Sequence, residues 1–178
     1  MEYVYFLAGL PRLELTEAPP LSSAELLAAA AGVVRPDHLA ELRAIVEDRL
    51  ADVRHRAARP YLEVDTQLRN ALARLRARRA GAEYDAAAHP HEGFVVACET
   101  VAAQAAATAD PLARELVLDR FRWTVLDEPA AVSAFAVQAL FAYAFKLRLS
   151  EKWAALDERR GLDLLEDVVE GELAGRLS

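Results

Sequence analysis

The chain has one cysteine in 178 residues, Cys98, so no internal disulfide can form. It has no run of about 18 uncharged apolar residues, the length that would suggest a membrane span. Its most apolar stretch, Ala130 to Phe145, contains Gln138 and stops at Lys146, so we read a buried helix there. The opening Met1-Glu-Tyr-Val-Tyr has neither a basic region nor a long apolar run. No signal peptide is therefore expected, and the expected location is cytoplasmic, without direct membrane insertion. Nor is there an excess of basic charge. Lys and Arg number 21 against 28 Asp and Glu, a net charge of −7, which argues against general nucleic-acid binding.

The motifs of common chemistries are missing too. There is no P-loop, no Gly-x-Gly-x-x-Gly turn and no Gly-x-Ser-x-Gly elbow. The histidines are His38, His55, His89 and His91. His89-Pro90-His91 has only the adjacent Glu92 as a further metal donor, so we read it as a loop. Cys98 sits in an alanine-rich segment with no histidine nearby, the setting of a buried inert thiol. The sequence therefore assigns no catalytic residue, no cofactor-binding residue, no metal ligand and no nucleotide site. A site built from carboxylates gathered in space would leave no such mark.

What is present is helical patterning. Tyr3 to Leu15 is aromatic and β-branched at first and is broken by Gly9 and Pro11, which predicts a short strand or extended segment. Ser22 followed by Glu25 has the spacing of a capping box, with a helix from Ser23 to about Ala31. Pro36-Asp37 opens the next helix, and Leu39, Leu42, Val46, Leu50 and Val53 continue one stripe. Tyr61, Val64, Leu68, Leu72 and Leu75 form a further stripe that ends at Gly81. A linker is expected over 82–92, then an alanine-rich helix from Phe94 to Ala107. Asp110-Pro111 starts a helix that should end near Asp127, before Pro129. Ser133 is read as the cap of a helix over about 134–157, roughly 36 Å long. A turn at Gly161 and a last acidic helix over 162–173 close the chain. The expected fold is all-α: an irregular bundle of six to seven helices with a short extended N-terminal segment. It forms one domain over 1–178, divisible into lobes 1–81 and 93–178 joined by 82–92.

Charge is uneven along this framework. Gln67 to Arg79 holds five arginines and no acid, whereas Asp157 to Glu172 holds seven acids against Arg159 and Arg160. The plain reading is that these segments lie near each other or are separately solvated. The sharper one is that the arginine face docks an acidic partner. On a helical wheel, Leu112, Leu116, Trp123 and Leu126 fall opposite Val117, Leu118, Phe121 and Val125. A helix with two apolar faces is sandwiched, within its own domain or against a partner. Glu115, Asp119 and Arg122 edge the Trp123 face. Asp119 and Arg122 can pair at i, i+3, while Glu115 and Asp119 repel at i, i+4. Either this is an ion pair beside a core tryptophan, or it is the polar rim of an interface anchor. The candidate partner interface is Arg69, Arg76, Asp119, Arg122 and Trp123.

Several passages together carry a resemblance. They are Tyr3-Val-Tyr-Phe-Leu-Ala-Gly-Leu-Pro-Arg-Leu-Glu-Leu with the helix start at 20–26, and Leu68-Arg-Asn-Ala-Leu-Ala-Arg-Leu-Arg. The more specific ones are Glu115-x-x-Leu-Asp-x-x-Arg-Trp-x-x-Leu-Asp-Glu and Ala142-Tyr-x-x-Lys-Leu-x-x-x-Glu-Lys-Trp-x-x-Leu-Asp-x-x-x-Gly161. The chain resembles a bacterial family labelled only as a domain of unknown function, whose members tend to be encoded among the subunits of V/A-type ATPases. The resemblance implies a non-catalytic accessory or stalk subunit of such an ATPase, partnered with its soluble subunits and peripheral to the membrane through them. The helical character and early Tyr-x-Tyr are similar to the C (or d) stalk subunit, at about half its length. No catalytic residue is carried over. The alternatives are a small helical enzyme or ligand-binding domain with an unrecognised carboxylate site, and a homo-oligomeric helical scaffold.

Overall fold

In the computed structural model the described backbone covers residues 3–82, 84, 88–132 and 137–176; the described side chains are the same, less 128–132 and 159–176. Among these residues there are seven α-helices and no strand, so the fold is all-α. They are α1 (Val4–Gly9), α2 (Ser23–Ala30), α3 (Pro36–Val46), α4 (Arg59–Ala80), α5 (Val96–Ala107), α6 (Pro111–Val132) and α7 (Val137–Arg176), with a 3-10 turn at Leu50–Asp52.

The first element corrects the sequence reading. Residues 4–9 are helical, and the extended run begins only at Leu10. The reason lies in a spacing that β-rich composition masked. Tyr3, Phe6, Leu7 and Leu10 stand at i, i+3, i+4 and i+7, and all four meet the core, while Tyr5 is 94% exposed. The extended run is then held along α7. The Tyr143 hydroxyl donates to Pro11 O at 2.9 Å and the Ser150 hydroxyl to Glu14 O at 2.9 Å.

The helix ends follow local chemistry. Ser22 and Glu25 form the capping box on α2. That helix is also tied to α7, because Ser23 donates its N–H and its hydroxyl to the Glu151 carboxylate at 2.6 Å each. Asp110 caps α6 through the N–H of Ala113 at 2.9 Å. α4 stops at Gly81, which takes φ +67°, while Ala82 N–H bonds Ala77 O. α3 stops by the same device with a costlier residue. Asp48 takes φ +59°, Arg49 N–H bonds Ala44 O and Asp48 N–H bonds Ile45 O. The stripe read from Leu39 to Val53 is therefore not one helix. It breaks after Val46 and resumes as the 3-10 turn.

Two further boundaries differ from expectation. α6 runs through Pro129 to Val132, and α7 runs unbroken through Gly161 to Arg176. Proline forgoes one hydrogen bond in the last turn, and an interior glycine costs only about 1 kcal/mol relative to alanine. Neither is decisive in helices of 22 and 40 residues. Ser133, read as a cap, lies outside the described residues.

The apolar interior divides in two. One core gathers Tyr3, Leu26, Leu42, Ile45 and Leu126 around Phe141, Phe145 and Leu147 of α7. Beneath it His38 and His55 meet edge to face at 4.9 Å between centroids, and both rings abut Phe141. The other core is smaller and packs Leu68, Ala71 and Leu72 of α4 on Cys98, Ala102 and Ala105 of α5 and Leu118 of α6. The alanines let α4 and α5 approach closely. Each core draws on both sides of the 82–92 connection, and α4 and α6 each pass from one core to the other. Each of the opposed faces of α6 thus contributes to the interior. Trp123 and Leu126 meet the first core, and Val117, Leu118 and Phe121 the second.

Candidate functional site

Where α4, α6 and the middle of α7 come together they leave an open cleft of about 440 Å³, floored by charge. Asp119 of α6 is its lowest point, at 0% exposure. A carboxylate so buried needs partners on both oxygens. Arg122 Nη1 donates to its Oδ1 at 2.7 Å, and Lys152 Nζ and Trp153 Nε1 donate to its Oδ2 at 2.6 and 3.0 Å. The i, i+3 pair expected from sequence is therefore real. The repulsion expected between Glu115 and Asp119 is relieved by Lys152, which donates to both.

A second buried carboxylate extends the network. Asp65 of α4 accepts Arg122 Nε at 2.8 Å on Oδ1 and Arg69 Nη2 on Oδ2. Arg122, whose side chain is 15% exposed, bridges the two helices. Burial opposes its charge, but Asp65 and Asp119 outweigh that, so its proton is held more firmly than on a free guanidinium. At the outer end Arg148 of α7 pairs with Asp48. Tyr61 stacks on Phe145 at 4.4 Å and lines the same cleft. Burial, then the charge of Asp65, push its hydroxyl above the ordinary tyrosine range, so it stays protonated and a donor.

The five residues read as a partner interface are dispersed by this geometry. Arg69, Asp119 and Arg122 share the cleft, but Asp119 and Arg122 form its floor rather than an exposed rim. Arg76 is exposed on α4 and has no ion-pair or hydrogen-bond partner among the described residues. Trp123 is half-buried against the first core with Lys146 Nζ 4.8 Å above its ring. The tryptophan beside the Asp119–Arg122 pair is Trp153 instead. Sequence reasoning missed Asp65, Lys152, Tyr61 and Arg148. The available signal for Asp65 was an acid set beside the apolar stripe of α4, four residues before Arg69.

The rest of the arginine stripe is partly committed. Arg74 pairs with Glu99 at 2.6 Å, and Arg79 donates to Ala106 O at 2.7 Å. On the neighbouring face of α4, three side chains hold the backbone of the 89–95 connection. Gln67 accepts from Val95 N–H at 2.8 Å and donates to Val95 O at 2.9 Å. Asn70 does the same for His89, at 3.1 and 2.7 Å. Glu63 accepts Glu92 N–H at 2.6 Å, which with Arg59 holds its carboxyl below the usual range. This clamp leaves Phe94 and Val96 each 68% exposed. Cys98 is buried beneath it with its thiol pushed up to about 11 by desolvation, the behaviour of an inert group.

Among the described residues no helix is long and apolar enough to cross a membrane, and no group of three or more His, Cys, Asp or Glu is placed to hold a metal. A family model described as a protein of unknown function (DUF2764) matches residues 92–173. The match covers α5, α6 and most of α7, and so Asp119, Arg122, Lys152 and Trp153; it omits Asp65 and Arg69. No curated protein and no solved structure matches the chain. Over its second half, then, the chain is similar to an uncharacterised domain family.

Proposed function

We propose that this chain is a non-catalytic accessory or stalk subunit of a V/A-type ATPase, acting through protein–protein contacts with soluble subunits. The observation that carries the reading is the resemblance of the 115–128 and 142–161 motifs to a family associated with such ATPases. The chemistry of those motifs agrees with a structural role. Lys146, Glu151, Lys152 and Trp153 of α7 each engage Asp127, Ser23, Glu115 or Asp119, so the motif positions bind the bundle together.

The carboxylate cleft favours the second reading, a small helical enzyme or ligand-binding domain. Against catalysis, both oxygens of Asp65 and of Asp119 are already occupied by cations or N–H donors. A carboxylate engaged on both oxygens is poorly placed to exchange a proton with a substrate. Surface remains for partners at Phe94 and Val96 and at Arg76. The test is co-purification of the tagged chain with the ATPase subunits of its own organism at low salt. Recovery of a soluble ATPase subunit is expected; recovery of none ends the proposal. Calorimetry with Mg-ATP is expected to show no stoichiometric binding.

A further inference from the structure

The cleft has more donors than its acceptors use. Tyr61 lines it, and its hydroxyl is held protonated and has no hydrogen-bond partner among the described residues. Arg69 gives one of its five N–H donors to Asp65 while its side chain stays 55% exposed. The buried acids Asp65 and Asp119 are fully engaged. The acids left to respond to a newcomer are the outer ones, Asp48 and Glu115. Arg76 does not line the cleft but adds an exposed cation beyond it. It stands seven residues from Arg69 on the same face of α4, about 10.5 Å along the axis, in a stretch without acids.

We propose that this cleft is the docking site for an acidic helical segment of a protein partner. One carboxylate enters beside Tyr61 and Arg69, and another, two turns away, meets Arg76. The spacing sets the partner's chemistry: carboxylates at i and i+7 on one helix face. A lone small anion fits less well, because it leaves Arg76 unused. A nucleic acid fits less well than two spaced carboxylates, because its unbroken row of phosphates would also run against the outer acids Asp48 and Glu115. The proposal rests on the reading of the chain as a partner-binding subunit, and it specifies where and by what chemistry binding occurs.

The probe is a synthetic alanine-based helical peptide with glutamates at i and i+7, compared with its glutamine counterpart. Binding is followed on the intact protein by NMR of the Tyr61 ring and the arginine side chains. The glutamate peptide should perturb Tyr61, Arg69 and Arg76, weaken with salt, and outbind the glutamine peptide about tenfold. Arg76→Glu, an exposed change that leaves the fold intact, should abolish most of that preference. Tyr61→Phe should reduce it about threefold. Equal binding of the two peptides, or no shift at Tyr61, overturns the proposal. Glutarate or inorganic phosphate matching the peptide's affinity overturns it in favour of a small-anion pocket. Concentration-dependent self-association that blocks the peptide overturns it in favour of a second copy of the chain. The two proposals fail separately. If the peptide behaves as expected but no ATPase subunit co-purifies, the ATPase reading falls and the acidic-helix site stands. If a subunit co-purifies equally with wild type and Arg76→Glu, the site falls and the ATPase reading stands.

Discussion

Asp119 shows how much one side chain can carry. It accepts from Arg122, Lys152 and Trp153 at once, while Arg122 reaches on to Asp65, so α4, α6 and α7 are joined by one chain of charges. Removing one member of a buried charge network leaves the others desolvated and unpaired. Asp119→Ala should therefore destabilise the protein by about 3 kcal/mol or more, with Asp119→Asn in between. Urea denaturation followed by tryptophan fluorescence measures it, with Trp153 as the local reporter. A loss under about 1 kcal/mol would mean that the network contributes little. None of this network beyond the Asp119–Arg122 pair was legible in the sequence. That pair is local, three residues apart on one helix. Asp65 lies 57 residues from Arg122, and Lys152 lies 33 from Asp119. Their meeting depends on how three helices pass one another, which no periodicity encodes.

At the scale of the element, helix ends were the most legible features and helix continuity the least. Ser22, Asp110 and Gly81 act through atoms within a few residues, so their sequence signals hold. Gly161 was misread because a residue that weakens a helix does not have to end it. The two left-handed helix stops predict opposite effects. Gly81→Ala should cost about 1 kcal/mol from backbone strain alone, because an added Cβ there meets nothing within 4 Å. Asp48→Gly should relieve similar strain and lose a surface pair with Arg148, for a net gain of about 0.5 kcal/mol. Melting temperatures of the two variants should move in opposite directions, and a common direction would refute this account of the stops. The clamp on 89–95 adds a pH dependence. The Glu63 carboxyl is held below its ordinary value of 4.5, chiefly by the Glu92 N–H. Its contribution is fully present above pH 4.5 and fades as pH falls through the lower folded value. The protection of the Glu92 amide, relative to its intrinsic exchange rate, should fall below that pH in the wild type and should lose this dependence in Glu63→Gln.

For the molecule as a whole, two cores sharing α4 and α6 should behave as one. Neither core is complete without residues from both halves of the chain, so neither half can retain its packing alone. We expect a single unfolding transition over 1–178, with far-ultraviolet circular dichroism and tryptophan fluorescence coincident in denaturant. Two separated transitions would show instead that the chain holds independent lobes. The cleft lies on this junction, since α4 and α6, the two helices shared by both cores, form two of its walls.

The clamp formed by Glu63, Gln67 and Asn70 has a consequence for what the surface can become. These side chains grip the main chain at Glu92, Val95 and His89 through its N–H and C=O groups. The grip is indifferent to residue identity, except that proline would remove the N–H each of them uses. The exposed positions Phe94 and Val96 are therefore free to change while the ridge keeps its course. A new side chain at either position would alter what the ridge presents to a neighbour without moving the ridge, provided Glu63, Gln67 and Asn70 stay as they are.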